Sequence, residues 1–248
     1  MTHLVNNGYG SRVERLNQSR KTVAVVGAGG LGCPVSVSLV EAGVRLILID
    51  ADRVELSNLQ RQTLFATTDL GRDKLEAAQD ELNRRFPEVG EALNRIELRP
   101  GRLTWDTADV LLDGADLVID ATDDPDCRFI VNAWTLSRGL PAVIGGVHRF
   151  RGQVFAHAGY GPCFRCLFEE SGPDIETCEQ AGVIGALAGL VGHLQAERAL
   201  ELLRGDRQGV GIVTLIDALS GRTRNIALSR DPACPACRGA PPPTPAET

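Results

Sequence analysis

The sequence predicts an α/β fold with a mostly parallel sheet, helices on both faces of that sheet, and antiparallel strands that continue it later in the chain. Two observations carry this prediction. Short apolar strands alternate with helical patterns up to about residue 146, and such alternation implies right-handed crossovers between parallel strands. From about residue 147 the pattern changes to ribbon-like strands, which we expect to pair antiparallel.

Each element is predicted from the spacing of its apolar residues. In the first half, strands are predicted at 23–26, 44–50, 116–120 and 141–144, and helices at 31–42, 71–85 and 126–138. In the second half, the pattern predicts an antiparallel ribbon at 147–156, a long helix rich in small residues at 181–204, and a hairpin of 210–217 with 222–228. The proline-rich tail at 239–248 is expected to be disordered.

The composition limits the classes of protein to which this chain can belong. Its 248 residues suit one large α/β domain. The net charge of −6 argues against a general nucleic-acid binder, which normally carries a basic face. No run of about 18 apolar residues is present, so we expect no membrane span. With no secretory pattern at the start and seven cysteines, we expect a reducing, cytoplasmic compartment.

A glycine-rich segment after the first strand predicts a nucleotide site and a Rossmann-like sheet. Residues 23–32 read Val-Ala-Val-Val-Gly-Ala-Gly-Gly-Leu-Gly. The glycines of the motif are Gly27, Gly29, Gly30 and Gly32. They let the backbone approach a phosphate at a helix N-terminus, where free N–H groups favour an anion. Because Asp50 ends the next strand, a nicotinamide oxidoreductase is one alternative, and glycines that serve only helix–strand packing are another.

The residues that follow Asp50 argue against the oxidoreductase. Polar and cationic side chains occur in quick succession after this strand, namely Asp52, Asn58, Arg61, Gln62 and Lys74. A nicotinamide site needs one acid for the ribose and an apolar face for the ring, and it has no use for these added groups. Arg61 and Lys74 instead suit a triphosphate, whose negative charge must be neutralised as pyrophosphate leaves.

Two Cys-x-x-Cys pairs predict a structural zinc site. Their members are Cys163, Cys166, Cys234 and Cys237. Two such pairs can complete a tetrahedral shell of four thiolates, which leaves no open position for catalysis. The pairs are 67 residues apart, so the metal would fasten the distant C-terminal segment onto the domain. Free or disulfide-paired cysteines are the alternative.

Taken together, these motifs resemble the MoeB/ThiF family of adenylyltransferases, bacterial relatives of the ubiquitin-activating enzymes. The resemblance runs from about Glu14 to Cys237. Besides the glycine segment and the cysteine pairs, it rests on Asp50-x-Asp52, Ser57-Asn58-Leu59-Gln60-Arg61-Gln62, Lys74, Asp120-Ala-Thr-Asp123 and Thr177-Cys178-Glu179-Gln180-Ala181-Gly182-Val183. It implies adenylation, with ATP and Mg²⁺, of the C-terminal Gly-Gly carboxylate of a small ubiquitin-like sulfur carrier protein.

The resemblance also implies a domain organisation. It predicts one domain over residues 1–240, with a nucleotide-binding half at about 20–146. The half at about 147–238 would bind the carrier and hold the zinc. It would also contain the family's crossover loop, at about 165–180, beneath which the tail of the carrier passes. The family further implies a homodimer, which the small residues of the helix at 181–204 would permit, and a separate protein as sulfur donor.

Roles for single residues follow from the same resemblance. Gly29 and its neighbours would lie against the ATP phosphates, and Asp50 would accept hydrogen bonds from the ribose. Arg61, Lys74 and Asp123 would be catalytic, with Asp123 as the magnesium ligand. The other predicted nucleotide-binding residues are Gly27, Gly30, Gly32, Asp52, Asn58, Gln62 and Asp120. For Asp120, a strand-terminal cap is an equal alternative to a site residue. Position 124 is Asp, where the family most often has Asn.

Two features leave alternatives open. Cys178 lies where some family members form a covalent link with the carrier, and a sulfur-relay role and a passive loop cysteine are both possible. Family members also carry a Tyr-x-Arg-Gln stretch ahead of the glycine segment, whose arginine reaches the ATP of the neighbouring subunit. That stretch is absent near Met1, where Arg12 is a possible substitute. A non-catalytic carrier-binding relative is therefore a second alternative function.

Overall fold

The structure, a computed structural model, describes residues 21–87, 95–168 and 182–238. Cys178, Arg12 and the tail at 239–248 lie outside the described residues. None of the helices in the described ranges has the length and apolar character that a bilayer span requires.

The described chain contains eight strands and five α-helices. The strands are β1 (Thr22–Val26), β2 (Arg45–Asp50), β3 (Ile96–Pro100), β4 (Leu117–Asp120), β5 (Pro141–His148), β6 (Arg151–Ala158), β7 (Ile212–Asp217) and β8 (Arg222–Ala227). The helices are α1 (Gly32–Glu41), α2 (Lys74–Arg85), α3 (Ala108–Leu111), α4 (Pro125–Ser137) and α5 (Gly185–Leu203). Short 3₁₀ turns occupy Leu56–Asn58, Thr67–Asp69 and Phe164–Cys166.

The strands form one sheet in the order β3-β2-β1-β4-β5-β6-β7-β8. The first five strands of this order are parallel, and β5 to β8 pair antiparallel. The chain leaves β1 towards β2 on one side and later returns as β4 on the other. The connections therefore diverge at the carboxyl end of β1, and open α/β sheets bind ligands in the crevice that such a switch point creates.

Two apolar cores lie on opposite faces of the sheet because alternate strand residues point to opposite sides. In β1, Val23 and Val25 pack with α1, α2 and α5. Ala24 and Val26 pack on the other face with α3 and α4. The prediction of a mostly parallel sheet with helices on both faces and antiparallel strands beyond it is thereby confirmed.

Element boundaries differ from the sequence-based prediction at several places. β3 and α3 were not predicted, since β3 is a half-exposed strand with only two apolar residues and α3 is a single turn. α2 begins at Lys74 rather than at residue 71, because Gly71 has a φ of +82° and Asp73 is extended. β5 continues to His148 and forms a hairpin with β6, so the ribbon begins earlier than predicted.

Two glycines of the motif are required by the packing of the protein itself. Gly27 has a φ of +95°, a conformation that favours glycine. A Cβ at Gly32 would lie 1.8 Å from the carbonyl oxygen of Gly27, far inside van der Waals contact. The turn between β1 and α1 therefore closes only with glycine at both ends.

Replacing Gly32 with Ala should lower the free energy of unfolding by about 2 kcal/mol or more, as expected for a side chain forced into a closed space. Gly189→Ala in α5 is the matched control, since a Cβ there meets nothing within 4 Å. That control should gain about 0.5–1 kcal/mol from helix propensity. Urea unfolding measures both variants, and equal stability of the two would contradict the packing argument.

Candidate active site

A cavity of about 440 Å³ opens at the carboxyl ends of β1, β2 and β4. Ten predicted site residues line it, namely Gly27, Gly29, Gly30, Asp50, Asp52, Asn58, Arg61, Gln62, Lys74 and Asp123. Gly32 and Asp120 are not among the lining residues, and Cys178 lies outside the described residues. The fold therefore brings together, at the switch point, residues that are up to 96 positions apart in the sequence.

The glycine segment forms one wall of this cavity and leads into α1. The N-cap of α1, Leu31, supplies no side-chain hydrogen bond to the helix. Within the described residues, the backbone N–H groups of Gly29 and Gly30 have no hydrogen-bond partner. A Cβ at Gly29 would meet only Gln62 Nε2 at an ordinary 3.7 Å, so packing alone does not demand glycine there. Unpaired N–H groups at a helix N-terminus favour an anion.

Asp50 ties the end of β2 to the glycine segment. Its Oδ2 accepts a hydrogen bond of 2.7 Å from the backbone N–H of Ala28, and its Oδ1 accepts one of 2.8 Å from that of Asp52. These bonds hold the carboxylate at the cavity edge. Each oxygen keeps a further lone pair, so the group can still accept from a ligand hydroxyl.

Two cations converge on Asp52. The Lys74 ammonium lies 3.1 Å from Asp52 Oδ2, and the Arg102 guanidinium lies 3.1 Å from Asp52 Oδ1. The side chain of Lys74 is only 7% exposed, so it sits at the base of the cavity, whereas Arg102 is largely exposed at the rim. The pair places positive charge on both sides of a single carboxylate.

Arg61 is oriented by its neighbour in the preceding 3₁₀ turn. One terminal nitrogen of Arg61 donates a 2.7 Å hydrogen bond to Asn58 Oδ1, and the Asn58 amide donates in turn to Glu55 at 3.5 Å. Asn58 is buried. The structure thus gives Asn58 a positioning contact with Arg61 in addition to its predicted place in the nucleotide site.

Asp120 is fully buried at the end of β4. Its Oδ1 accepts hydrogen bonds from the backbone N–H of Thr122 at 3.0 Å and from the Thr122 hydroxyl at 2.7 Å. Its Oδ2 lies 3.8 Å from Arg128 Nε, and neither atom has a hydrogen-bond partner within the described chain. These contacts correspond to the cap alternative, in which Asp120 shapes the loop that carries Asp123.

Burial raises the pKa of Asp120 to about 6, and the nearby Arg128 and the Thr122 hydrogen bonds oppose part of that rise. A carboxyl with a raised folded-state pKa binds its proton more tightly than in the unfolded chain. It therefore contributes stability at low pH that is lost as the pH rises through about 6. Buried His157 acts in the opposite direction, since burial lowers its pKa to about 4.

Asp120→Asn should remove this pH dependence. The free energy of unfolding of the native protein relative to the variant should fall by on the order of 3 kcal/mol between about pH 4 and pH 7. Because both proteins keep His157, its contribution cancels in the difference. Urea unfolding at several pH values measures the effect, and a difference that stays flat with pH would contradict it.

Asp123 and Asp124 are the last two residues of the loop between β4 and α4. Asp124 is the N-cap of α4 and accepts a 2.9 Å hydrogen bond from the backbone N–H of Asp126. Asp123 is exposed to the cavity, and its carboxylate makes no hydrogen bond or ion pair with another described residue. The two adjacent carboxylates therefore differ in their contacts: that of Asp124 caps a helix, and that of Asp123 is open towards the cavity.

The four predicted zinc ligands lie together at the far end of the antiparallel strands. The ligand atoms of Cys163, Cys166, Cys234 and Cys237 all lie within 4.8 Å of one another. Three sulfur–sulfur distances are 3.9, 3.7 and 3.5 Å, near the edge of about 3.8 Å that a tetrahedron with Zn–S bonds of 2.3 Å requires. They exceed a disulfide bond. The cluster can hold a metal ion such as zinc.

The remaining two described cysteines, Cys33 and Cys127, are core residues. Several cavity residues were missed, among them Arg102, Glu55 and Thr122. Arg102 follows β3, and the alternation Ile-Glu-Leu-Arg of that strand is the signal that could have revealed it. Val183 and Ala188 come from the second half of the chain, and only the packing of α5 against α1 brings them to the cavity.

Comparison with known proteins identifies the family. Residues 7–236 match the ThiF family. The chain belongs to the ThiF family. Its curated relatives include the sulfur carrier protein adenylyltransferase of Thermus thermophilus, which is 42% identical over 234 residues that cover 90% of this chain and 84% of the relative.

Other members of the ThiF family are nearly as similar. The molybdopterin-synthase adenylyltransferase of Escherichia coli K12 is 39% identical, with 90% of this chain and 89% of the relative covered. The sulfur carrier protein ThiS adenylyltransferase of the same organism is 36% identical, with 88% and 86% covered. All three relatives are named as adenylyltransferases, two of them of a sulfur carrier protein and one of molybdopterin synthase.

Solved structures support the fold. The crystal structure of Escherichia coli MccB with ATP has a TM-score of 0.78 to this chain at 20% sequence identity. It is matched over 91% of this chain and 69% of MccB. At this identity the likeness concerns the fold alone.

Proposed function

We propose that this ThiF family member adenylates the C-terminal Gly-Gly carboxylate of a small ubiquitin-like sulfur carrier protein. The products are the carrier acyl-adenylate and pyrophosphate, and the adenylate activates the carrier for sulfur transfer. The observation that carries this proposal is the convergence of ten family-motif residues on one cavity at the switch point of the sheet. The curated relatives named above support the substrate class.

In the proposed reaction, a carboxylate oxygen of the carrier attacks the α-phosphorus of ATP. The new bond joins that oxygen to phosphorus, and the bond from phosphorus to the pyrophosphate oxygen breaks. No general base is needed, because the carboxylate is already ionised at neutral pH. The protein must align the two reactants and neutralise the leaving group, as in other phosphoryl-type transfers.

The cavity residues suit this task. The free N–H groups of Gly29 and Gly30 would face phosphate oxygens, and Asp50 would accept from the ribose hydroxyls. Arg61, held by Asn58, would place its guanidinium on the triphosphate. Lys74 would exchange its contact with Asp52 for a contact with phosphate, because both residues line the same cavity.

Asp123 fits the magnesium role on the chemistry of its surroundings. Mg²⁺ prefers carboxylate oxygens and usually binds one or two of them together with substrate phosphates. Asp123 offers a carboxylate to the cavity, and no described side chain competes for it. Magnesium, when bound, would supply positive charge beside the phosphates.

The proposed assembly extends beyond this cavity. We propose one domain over residues 1–240 that forms a homodimer, with a separate protein as sulfur donor. The role of Cys178, as a covalent relay or as a bystander, stays a prediction. The cysteine cluster would carry a structural zinc that fastens the C-terminal segment to the loop after β6.

The test is exchange of labelled pyrophosphate into ATP with a panel of Gly-Gly-ended carriers that includes ThiS and MoaD. Exchange should require one carrier and disappear when its last two glycines are removed. Carrier binding without exchange would support a non-catalytic relative instead. Binding of a reduced nicotinamide cofactor, with no exchange for any carrier, would support the oxidoreductase.

A further inference from the structure

A second groove, of about 710 Å³, crosses the antiparallel part of the sheet. Strand register shows which side chains form its floor. One row reads His148, Arg151, Asp217 and Arg222 across β5 to β8, and the next reads Gly146, Gln153, Leu215 and Arg224. α5 packs on the opposite face of these strands. On this face, the exposed members of the two rows are His148, Arg151, Arg222 and Arg224. Gly146, at the β5 end of the second row, is buried beside Arg128 of α4.

The groove is cationic although the chain as a whole is acidic. Its lining includes four arginines and one histidine against two aspartates, namely Arg128, His148, Arg151, Arg222 and Arg224 against Asp123 and Asp217. Asp217 is already engaged, because its Oδ1 accepts from the backbone N–H groups of Leu219 and Ser220 in the β7–β8 turn. Within the described chain, Arg222 and Arg224 form no ion pair, and all of β8 is exposed.

The groove leads directly into the candidate active site. Asp123 and Val147 line both the groove and the nucleotide cavity. Gly146, at the β5 end of the second row, is next to Val147 in the chain, and a Cβ there would lie 3.1 Å from Arg128 Nη2. The absence of a side chain at Gly146 leaves room beside Arg128, so an extended chain lying in the groove would reach the nucleotide cavity at Asp123.

Apolar side chains at the borders of the groove favour a protein over a nucleic acid as its occupant. Phe150 is 40% exposed and Leu219 is 74% exposed, and a 2.8 Å backbone hydrogen bond from Ala218 to Phe150 joins their turns. Ile226, on the same face of β8 by register, is 45% exposed. Protein interfaces combine such apolar groups with arginine.

We infer that this groove, with Arg222 and Arg224 as specificity residues, docks an acidic face of the sulfur carrier and directs the carrier's tail towards Asp123. This inference rests on the proposed function and adds the charge class of the partner. Complementary charge raises the association rate and discriminates against like-charged partners. A carrier with a neutral or basic face would therefore be a poor substrate.

The test uses Arg224→Glu and the double variant Arg222→Glu/Arg224→Glu in the full chain. The KM for the carrier should rise about tenfold in the double variant, with kcat and the KM for ATP unchanged, since the arginines act only in binding. Arg45→Glu is the matched control, because Arg45 is also an exposed strand arginine but lies at the opposite end of the parallel strands. Arg224→Lys keeps the charge and should keep the native KM.

Calorimetric titration of the same carriers without ATP separates this inference from the proposed function. Affinity should fall with added salt in the native protein, and this salt dependence should weaken in the double variant. Binding that depends on Arg222 and Arg224 without any pyrophosphate exchange would overturn the proposed function alone. An unchanged carrier KM in the double variant would overturn the docking assignment. The assignment would also be overturned if the double variant lost binding to a 20-nucleotide RNA but bound the carrier as the native protein does.

Discussion

Asp123→Asn should lower the rate of carrier adenylation on the order of 100-fold or more, the usual effect of losing one electrostatic contact with a transferring group. The substitution keeps the shape of the side chain and removes its charge. Because Asp123 makes no hydrogen bond or ion pair with another described residue, stability should be nearly unchanged. Pyrophosphate exchange and a magnesium titration measure the effect, and the variant should need much more Mg²⁺ for half-maximal rate.

The neighbouring residue supplies the control. Asp124 caps α4 through its Oδ1, and asparagine is an equally good N-cap. Asp124→Asn should therefore retain the fold and most of the activity, although it removes the same charge one position away. Normal adenylation in Asp123→Asn, or an equal loss in both variants, would show that Asp123 has no specific role with magnesium.

Purified protein should contain about one zinc per chain, and Cys234→Ser should lose it. Structural zinc contributes on the order of 10 kcal/mol in small peptides. The segment that carries Cys234 and Cys237 is mostly exposed apart from these cysteines, so it has little else to hold it. The melting temperature should fall on the order of 10 °C, and a chelator should produce the same fall in the native protein.

Cys33→Ala separates loss of a ligand from loss of a buried thiol. Cys33 lies in α1 and is fully buried in the core, and burial raises its pKa to about 12, so it is an inert thiol. This variant should keep its zinc and most of its stability. Elemental analysis of both variants decides the matter, and a metal content near zero in the native protein would refute the zinc assignment.

Much of the candidate site could be predicted from local sequence patterns. The glycine segment, Asp50 at a strand end and the spaced cysteines each signal their role within a few residues. The strand ends place Asp50 and Asp123 at one edge of the sheet, because parallel strands finish on the same side. The residues that orient these side chains could not be predicted from the sequence. That Arg102 shares Asp52 with Lys74 depends on packing between distant segments. The contact of Asn58 with Arg61 depends on the side-chain conformations around one 3₁₀ turn.

The distribution of charge shows most clearly which properties the sequence alone determines and which need the tertiary structure. The net charge of −6 is a property of composition, and it selects no partner. The cationic groove exists because antiparallel pairing places Arg151, Arg222 and Arg224 on one face of the sheet. Local periodicity suffices for the fold class and the motifs, since these depend on neighbours in the chain. Which charges share a surface depends on strand register, and register is settled only when the whole sheet forms.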